Sequence, residues 1–219
     1  MAELHRRASA QPLPGIWDRT LLAQLVAINA HLIEALVQAA SRGGHCVPTS
    51  LLRADWLRLT AEQRLRLADC PYLLVDAGFA DPTGWLTIPP VGVRDMPDPR
   101  RAIHAAIGWV EPSLIRRALI LAWHLARSNP LLARVALGMN ERCMELIAAC
   151  GLHDLESLAE LRPAWIRIRW DDQPQIWQQL VQAAAAGQDA SLRRLQLRGL
   201  QLLAAGLGEG PKSGGNAPS

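Results

Sequence analysis

One short pattern of residues occurs twice in this chain, and it limits the folds that the chain can adopt. Leu67-Ala68-Asp69 is followed by an apolar stretch and then by Phe79. Leu158-Ala159-Glu160 is followed by an equally long stretch and then by Trp170, which lies 91 positions after Phe79. An acidic residue and a tryptophan follow each of these aromatic residues. A repeated unit favours two related halves that pack together, and it argues against an enzyme with one special pocket.

The composition fits one large domain or two smaller ones of about 100 residues each. Half of the 219 residues are hydrophobic, which is enough for a sizeable core. The formal net charge of +3 permits a nucleic-acid partner without requiring one. Eight tryptophans stand against one tyrosine and one phenylalanine, and we expect most of these indoles to anchor the core.

The cysteines and the absence of targeting signals bear on metal binding and location. Cys46, Cys70, Cys143 and Cys150 form no CxxC pair and match no common zinc spacing, so we expect free thiols and neither a metal nor another cofactor. Residues 1–12 lack the apolar core of a secretory signal, and polar residues interrupt every apolar run before the ~18 residues of a membrane span. The sequence therefore predicts a cytoplasmic protein without membrane association.

Helical periodicity dominates the chain and predicts a mainly α fold. Apolar residues recur at three- and four-residue steps over residues 21–40, and Gly43 is placed to end that helix in the left-handed conformation. Thr60 and Gln63 have the spacing of a capping box. Asn140 is placed to cap the helix that begins at Glu141.

Short extended segments and a proline-rich stretch divide the helical regions. Residues 72–75 form an apolar run that favours an extended conformation, and residues 165–170 alternate with a period of two. Four prolines between residues 86 and 101 disfavour a helix and indicate a linker. The predicted organisation is an N-terminal helical repeat over 16–85, a linker over 86–111, a C-terminal helical repeat over 112–205 and a disordered tail over 206–219.

The C-terminal half carries four elements in a fixed register. They are Leu119-Ile120-Leu121-Ala122, Leu137-Gly138-Met139-Asn140-Glu141, Leu158-Ala159-Glu160 and Arg169-Trp170-Asp171. In these elements the segment 119–171 resembles the FlhD family of flagellar and mobile-element transcriptional regulators. Residues 21–85 hold a weaker echo of the same pattern and lack the Leu-Gly-apolar-Asn-Glu element.

The resemblance implies a helical fold that dimerises and works at promoter DNA with FlhC, a zinc-bearing partner. For this chain it implies two FlhD-like repeats that form a pseudo-dimer in one polypeptide. We therefore expect a non-enzymatic transcriptional co-regulator, an activator that meets promoter DNA through a complex with an FlhC-like protein. Self-association into a homo-oligomer stays open. The alternative is a structural or adaptor protein of a secretion system or mobile element, which would bind proteins rather than DNA.

Two groups of arginines are the candidates for nucleic-acid or partner contacts. Arg162, Arg167 and Arg169 lie on or beside the alternating segment, where Arg167 and Arg169 are expected to share a face and meet phosphates. The second group lies on the last predicted helix and consists of Arg193, Arg194 and Arg198. The first group could instead belong to an exposed edge strand that its charges keep soluble, or could pair with Asp171 and Asp172. The second group could be an ordinary solvated face.

Catalytic chemistry has little support in the sequence. Asp81, Asp171 and Asp172 follow aromatic residues just before helices, where N-capping is the favoured role. His31 and His124 lie within helical stripes and are expected to be core or boundary residues. No glycine-rich phosphate loop, HExxH or GxSxG motif is present, so we expect no enzyme activity.

Overall fold

A computed structural model describes residues 19–43, 52–86, 111–161 and 166–207. Within these ranges the chain is mainly α, as predicted, with ten helices and two short strands. The elements are α1 Arg19–Ser41, α2 Arg53–Arg58, α3 Ala61–Ala68, β1 Val75–Asp76, α4 Thr83–Leu86, α5 Pro112–Ser128, α6 Pro130–Leu137, α7 Glu141–Ala149, α8 Leu152–Leu161, β2 Arg167–Ile168, α9 Pro174–Ala185 and α10 Asp189–Gly206. The predicted tail begins at Gly206, which instead ends α10, and residues 208–219 lie outside the described residues, as do Arg162, Cys46 and nearly all of the predicted linker.

Helix α1 is the longest helix of the described chain and confirms the helix predicted over residues 21–40. Its apolar stripe is buried against α2, α3 and α5, and Gly43 follows its end with a φ of 77°. By length and composition α1 could also cross a membrane, since its most apolar 18-residue window has a mean hydropathy of 1.6. The expectation that no segment reaches that length is therefore wrong, although 44 % of the window is buried inside this fold.

Local capping signals set several helix ends as predicted. The Thr60 side chain accepts from the Gln63 amide, and the Gln63 side chain accepts from the Thr60 amide at 2.8 Å. The Asn140 side chain accepts from the Cys143 amide at 2.7 Å. These bonds satisfy amides that the first helical turn leaves without partners, because no carbonyl precedes them in the helix.

The capping predicted for three aspartates is only partly present. The Asp81 side chain accepts from the Thr83 amide at 2.9 Å, at the start of α4. The N-cap of α9 is Gln173, whose side chain makes no capping hydrogen bond. Neither Asp171 nor Asp172 is therefore the N-cap, and that part of the prediction is wrong, because a turn separates them from the helix.

Each half of the chain has one long helix that packs against shorter helices of the same half. Helix α1 contacts α2 and α3, and α5 contacts α6, α7 and α8. The halves meet where α1 contacts α5, where α9 packs on α2 and α3, and where α4 packs on α7. The buried side chains of both halves form one continuous core.

The two strands form an antiparallel pair between the halves. Val75 lies opposite Ile168, and Asp76 lies opposite Arg167. Both extended segments were predicted, but the strands are shorter than the patterns suggested. Strand β2 ends because Trp170 adopts a φ of 57°, a left-handed conformation that cannot continue a strand.

Buried aromatic residues mark the places where the halves meet. Trp56 on α2 and Trp177 on α9 are fully buried, with ring centroids 5.8 Å apart. Tyr72 packs edge-on against Trp170 at 5.4 Å. Such pairs contribute about 0.5–1.5 kcal/mol beyond their buried area. The tryptophans among the described residues are buried or half-buried, which agrees with the expected role as core anchors.

Helix α10 lies directly over Tyr72 at Gly199. A Cβ added to Gly199 would overlap the tyrosine hydroxyl and lie 2.7 Å from its Cε1 atom. We expect Gly199→Ala to destabilise the protein by about 1–3 kcal/mol, because overpacking outweighs the gain of about 1 kcal/mol in helix propensity. Thermal unfolding followed by circular dichroism measures the effect. Gly206→Ala, on the same helix with open space around it, is the matched control and should be near neutral; an equal effect of the two changes would contradict the packing.

Candidate functional site

Arg167 and Arg169 do not share a face, which corrects the sequence prediction. Arg167 is exposed, and its Nη2 atom lies 3.4 Å from Asp76 Oδ2. Arg169 is buried, with a side-chain exposure of 8 %. The first residue lies on the short strand and the second lies in the turn after it, so the expected alternation ends between them.

The guanidinium group of Arg169 binds main-chain carbonyls from both halves. Its Nε donates to the Leu73 carbonyl at 2.8 Å, and its Nη2 donates to the Leu137 carbonyl at 3.0 Å and to the Val75 carbonyl at 3.3 Å. The Leu137 carbonyl ends α6 and has no partner of its own in the helix, so a cation there is favoured by the helix dipole. Arg169 is therefore a structural residue, and its guanidinium is not available to phosphates.

Asp76 supplies the opposite charge beside this buried cation. Its Oδ1 atom lies 4.0 Å from the Nη2 atom of Arg169 and its Oδ2 atom lies near Arg167. Burial lowers the pKa of Arg169, and the charge of Asp76 opposes that shift. The main chain of Arg169 is also held, because the indole of Trp177 donates to its carbonyl at 2.8 Å. Asp76, Arg167, Arg169 and the indole of Trp177 thus form one polar cluster at the β1–β2 junction.

The three arginines of α10 remain exposed, in agreement with a surface role. Arg194 donates to the Ser191 hydroxyl at 3.2 Å. Arg193 faces Asp69, whose pKa is raised by burial and partly lowered again by the charge of Arg193. The opposite side of the helix buries Leu192, Gln196, Gly199 and Leu203. That the three arginines contact a partner or nucleic acid stays a prediction.

A small groove of about 110 Å³ lies between α9 and α10. Apolar side chains and a row of glutamines line it, together with Arg198. The lining residues are Gln173, Gln175, Ile176, Gln179, Leu180, Leu195, Arg198, Gly199 and Leu202. Leu202 is 37 % exposed at this groove. Of the features described, this groove and the neighbouring arginines form the candidate interaction surface.

Two polar residues with structural roles were missed at the sequence level. Asn29, which is buried on the apolar side of α1, donates to the Tyr72 carbonyl at 2.8 Å and accepts from the Leu74 amide at 2.9 Å. It holds the chain between α3 and β1, which in turn positions the carbonyls that Arg169 binds. The other is the half-buried Asp76. A lone polar residue in an otherwise apolar stripe was the available signal for Asn29.

The described residues contain no group of three or more His, Cys, Asp or Glu side chains that could hold a metal ion. Burial raises the pKa of Cys70 and of Cys143 to about 12, so neither thiol is a ready nucleophile at neutral pH. His31 lies on the flank of α1, where its Nε2 atom is 3.4 Å from Glu111 Oε2.

Comparison with known proteins adds no relative. No protein-family model, no curated protein and no solved structure matches this chain.

Separate substitutions of Arg169 and Arg167 compare how much the buried and the exposed guanidinium group contribute to stability. We expect Arg169→Ala to destabilise the protein by about 3–5 kcal/mol, because three carbonyls lose their donor and Asp76 loses one of its two cationic neighbours. Arg167→Ala removes an exposed ion pair and should cost less than about 1 kcal/mol. Urea denaturation of both variants measures the difference. Similar midpoints for the two variants would contradict the structural role of Arg169.

Proposed function

We propose that this chain is a single-chain pseudo-dimer of two FlhD-like helical units, and that it acts as a transcriptional co-regulator without enzymatic activity. The observation that carries the proposal is the recurrence of the same order of elements in both halves. A long helix is followed by shorter helices, a two-residue strand and a further helix in each half, with α6 and α10 as additional helices in the second. The family resemblance of residues 119–171 supplies the functional part.

The ends of three pairs of helices recur at a separation of 91 residues. α2 and α7 end at Arg58 and Ala149, α3 and α8 begin at Ala61 and Leu152, and α4 and α9 begin at Thr83 and Pro174. The separation equals the spacing of the repeated sequence pattern. Because helix ends vary by one or two residues between related structures, three coincident pairs support a common origin of the halves.

The strand pair has the symmetry expected of two equivalent units. The 91-residue shift of the sequence pattern carries Asp76 to Arg167, which is the residue opposite it in the ladder. Gly78 and Trp170 both follow the strands in the left-handed conformation, although the sequence pattern aligns Trp170 with Phe79. A twofold axis generates an antiparallel pair of this kind, since each strand then meets its own equivalent.

Helix packing between the halves is reciprocal. Helix α9, which follows β2, packs on α2 and α3 of the first half, and α4, which follows β1, packs on α7 of the second half. Each half therefore places the helix after its strand onto the short helices of the other. This exchange supports a dimer-like arrangement within one chain.

A pseudo-dimer of this kind would present a quasi-symmetric surface to a partner. The partner that the resemblance implies is an FlhC-like zinc-bearing protein, which supplies the metal site and reads promoter DNA in the complex. Arg193, Arg194, Arg198 and Arg167 are the described candidates for contacts to that partner or to DNA. The proposed location is the cytoplasm, where promoter DNA and reduced thiols coexist.

A structural or adaptor role is the second candidate, and exposed leucines favour it. The described surface exposes about half or more of Leu57, Leu65, Leu86, Leu131, Leu152 and Leu197. They lie on helices in both halves, where they could bind proteins of a secretion system or mobile element. In that case no promoter would be enriched with the chain.

The pseudo-dimer has a consequence for the mass in solution. Because the symmetric contact is made within one polypeptide, we expect the purified chain to be a monomer of 24.0 kDa. Size-exclusion chromatography with light scattering measures this mass. A concentration-independent mass of roughly twice that value would contradict an internally completed dimer.

The co-regulator role is tested by reconstitution with an FlhC-like protein encoded beside this chain. We expect a stable complex that binds one promoter sequence specifically, whereas the chain alone shows no sequence preference. Footprinting on promoter DNA, with each protein alone as the control, measures this. A chain that co-purifies with no zinc-bearing protein and enriches no promoter in chromatin immunoprecipitation would point to the adaptor role instead.

A further inference from the structure

The surface formed by α9 and α10 has an unusually one-sided charge. Residues 174–206 contain three arginines, no lysine, no glutamate and one aspartate. That aspartate, Asp189, lies 3.2 Å from Arg66 and is therefore neutralised within the fold. Helix α9 itself carries no charged residue. The charge that this surface offers to a partner is thus positive.

The arginines and glutamines of this surface lie close together. Arg194 and Arg198 are four residues apart on one helix, a spacing that places their Cβ atoms about 5–6 Å apart. Arg198 lines the same groove as Gln175 and Gln179, which are one turn apart on α9. Guanidinium groups bind phosphate oxygens by paired hydrogen bonds, and glutamine amides bind phosphate, sugar or base edges.

Two of the three arginines have little competition from within the fold. Arg193 faces Asp69, whereas Arg194 donates to the neutral Ser191 hydroxyl. Arg198 forms no ion pair with any acid in the described ranges. The charges of Arg194 and Arg198 therefore remain available to bind an anion outside the fold.

The surface is also held rigidly from behind. The Gln196 side chain donates to the Arg66 carbonyl at 3.2 Å, and Gly199 packs on Tyr72. The turn between α9 and α10 is closed by the Gly187 amide, which donates to the Ala184 carbonyl at 3.2 Å. A preorganised surface loses little side-chain and backbone freedom on binding.

From these observations we propose that the α9–α10 surface contacts the phosphate backbone of duplex nucleic acid directly, through Arg193, Arg194 and Arg198. The contact is independent of sequence and does not require a zinc-bearing partner. This contact goes beyond the proposed co-regulation. Because the experiment uses the chain alone, its result can overturn the contact without affecting the co-regulator proposal.

The strength and salt dependence of such a contact follow from counterion release. Each neutralised phosphate contributes about −0.9 to the slope of log K against log salt, so three arginines give a slope of at most about −2.7. Affinity would then fall about 40-fold between 50 and 200 mM salt. Dissociation constants of about 10⁻⁴ to 10⁻⁶ M are typical of non-specific binding at physiological salt.

Fluorescence anisotropy with a labelled DNA duplex and the full chain tests the proposal. The variant Arg193→Gln, Arg194→Gln, Arg198→Gln should bind at least 10-fold more weakly at 50 mM salt and with a flatter slope. The matched control replaces three exposed arginines elsewhere, Arg42→Gln, Arg58→Gln and Arg117→Gln, with the same loss of charge. It should retain binding and slope. Thermal melts should match for all three proteins, since every changed side chain is exposed.

Several outcomes would overturn the proposal. They are an equal loss of affinity in both triple variants, salt-independent binding, no binding by the parent chain, or displacement by poly-glutamate as effective as by unlabelled DNA. The last result would assign the surface to an acidic protein.

An RNA duplex of equal length serves as a further arm. Equal binding of both duplexes supports recognition of the shared phosphates, and preference for one, lost in the α10 variant, assigns the backbone that the surface fits.

Discussion

The contact that the rest of this structure depends on is a buried cation bound to main-chain carbonyls. Arg169 joins the segment that leads into β1 to the end of α6. Its guanidinium group donates hydrogen bonds to the carbonyls of Leu73, Val75 and Leu137. A guanidinium group in the interior is tolerated only when its donors are satisfied and an opposite charge lies nearby. Asp76 supplies that charge. The antiparallel ladder, the turn at Trp170 and the position of α9 all follow from this arrangement.

The same arrangement explains why the candidate interaction surface lies on α9 and α10. The polar cluster and the aromatic residues around it fix these helices against the first half of the chain, through Trp56, Trp177 and Tyr72. Their buried sides are therefore committed to the core. What remains on the outside is a face of arginine, glutamine and leucine, a composition that suits a partner better than it suits packing.

Many local features could be predicted because their hydrogen bonds join residues close in the sequence. The capping box of Thr60 and Gln63 spans three residues, as does the cap of Asn140. The left-handed Gly43 could be placed because few other residues adopt that conformation readily. The capping predicted for Asp171 and Asp172 was wrong because a tight turn at Trp170 delays the start of α9, and an aromatic residue gives no signal of such a turn.

The sequence by itself determined the helical class, the ends of several helices and the exposed arginines of α10, since periodicity and capping act within one or two turns. Only the tertiary structure decided that Arg169 is buried while Arg167 is exposed. The carbonyl that Arg169 binds at Leu73 lies 96 residues away, and the aspartate beside Arg167 lies 91 residues away. Two arginines on one strand pattern are alike in sequence, and they differ because packing of the distant half surrounds one of them and leaves the other in water.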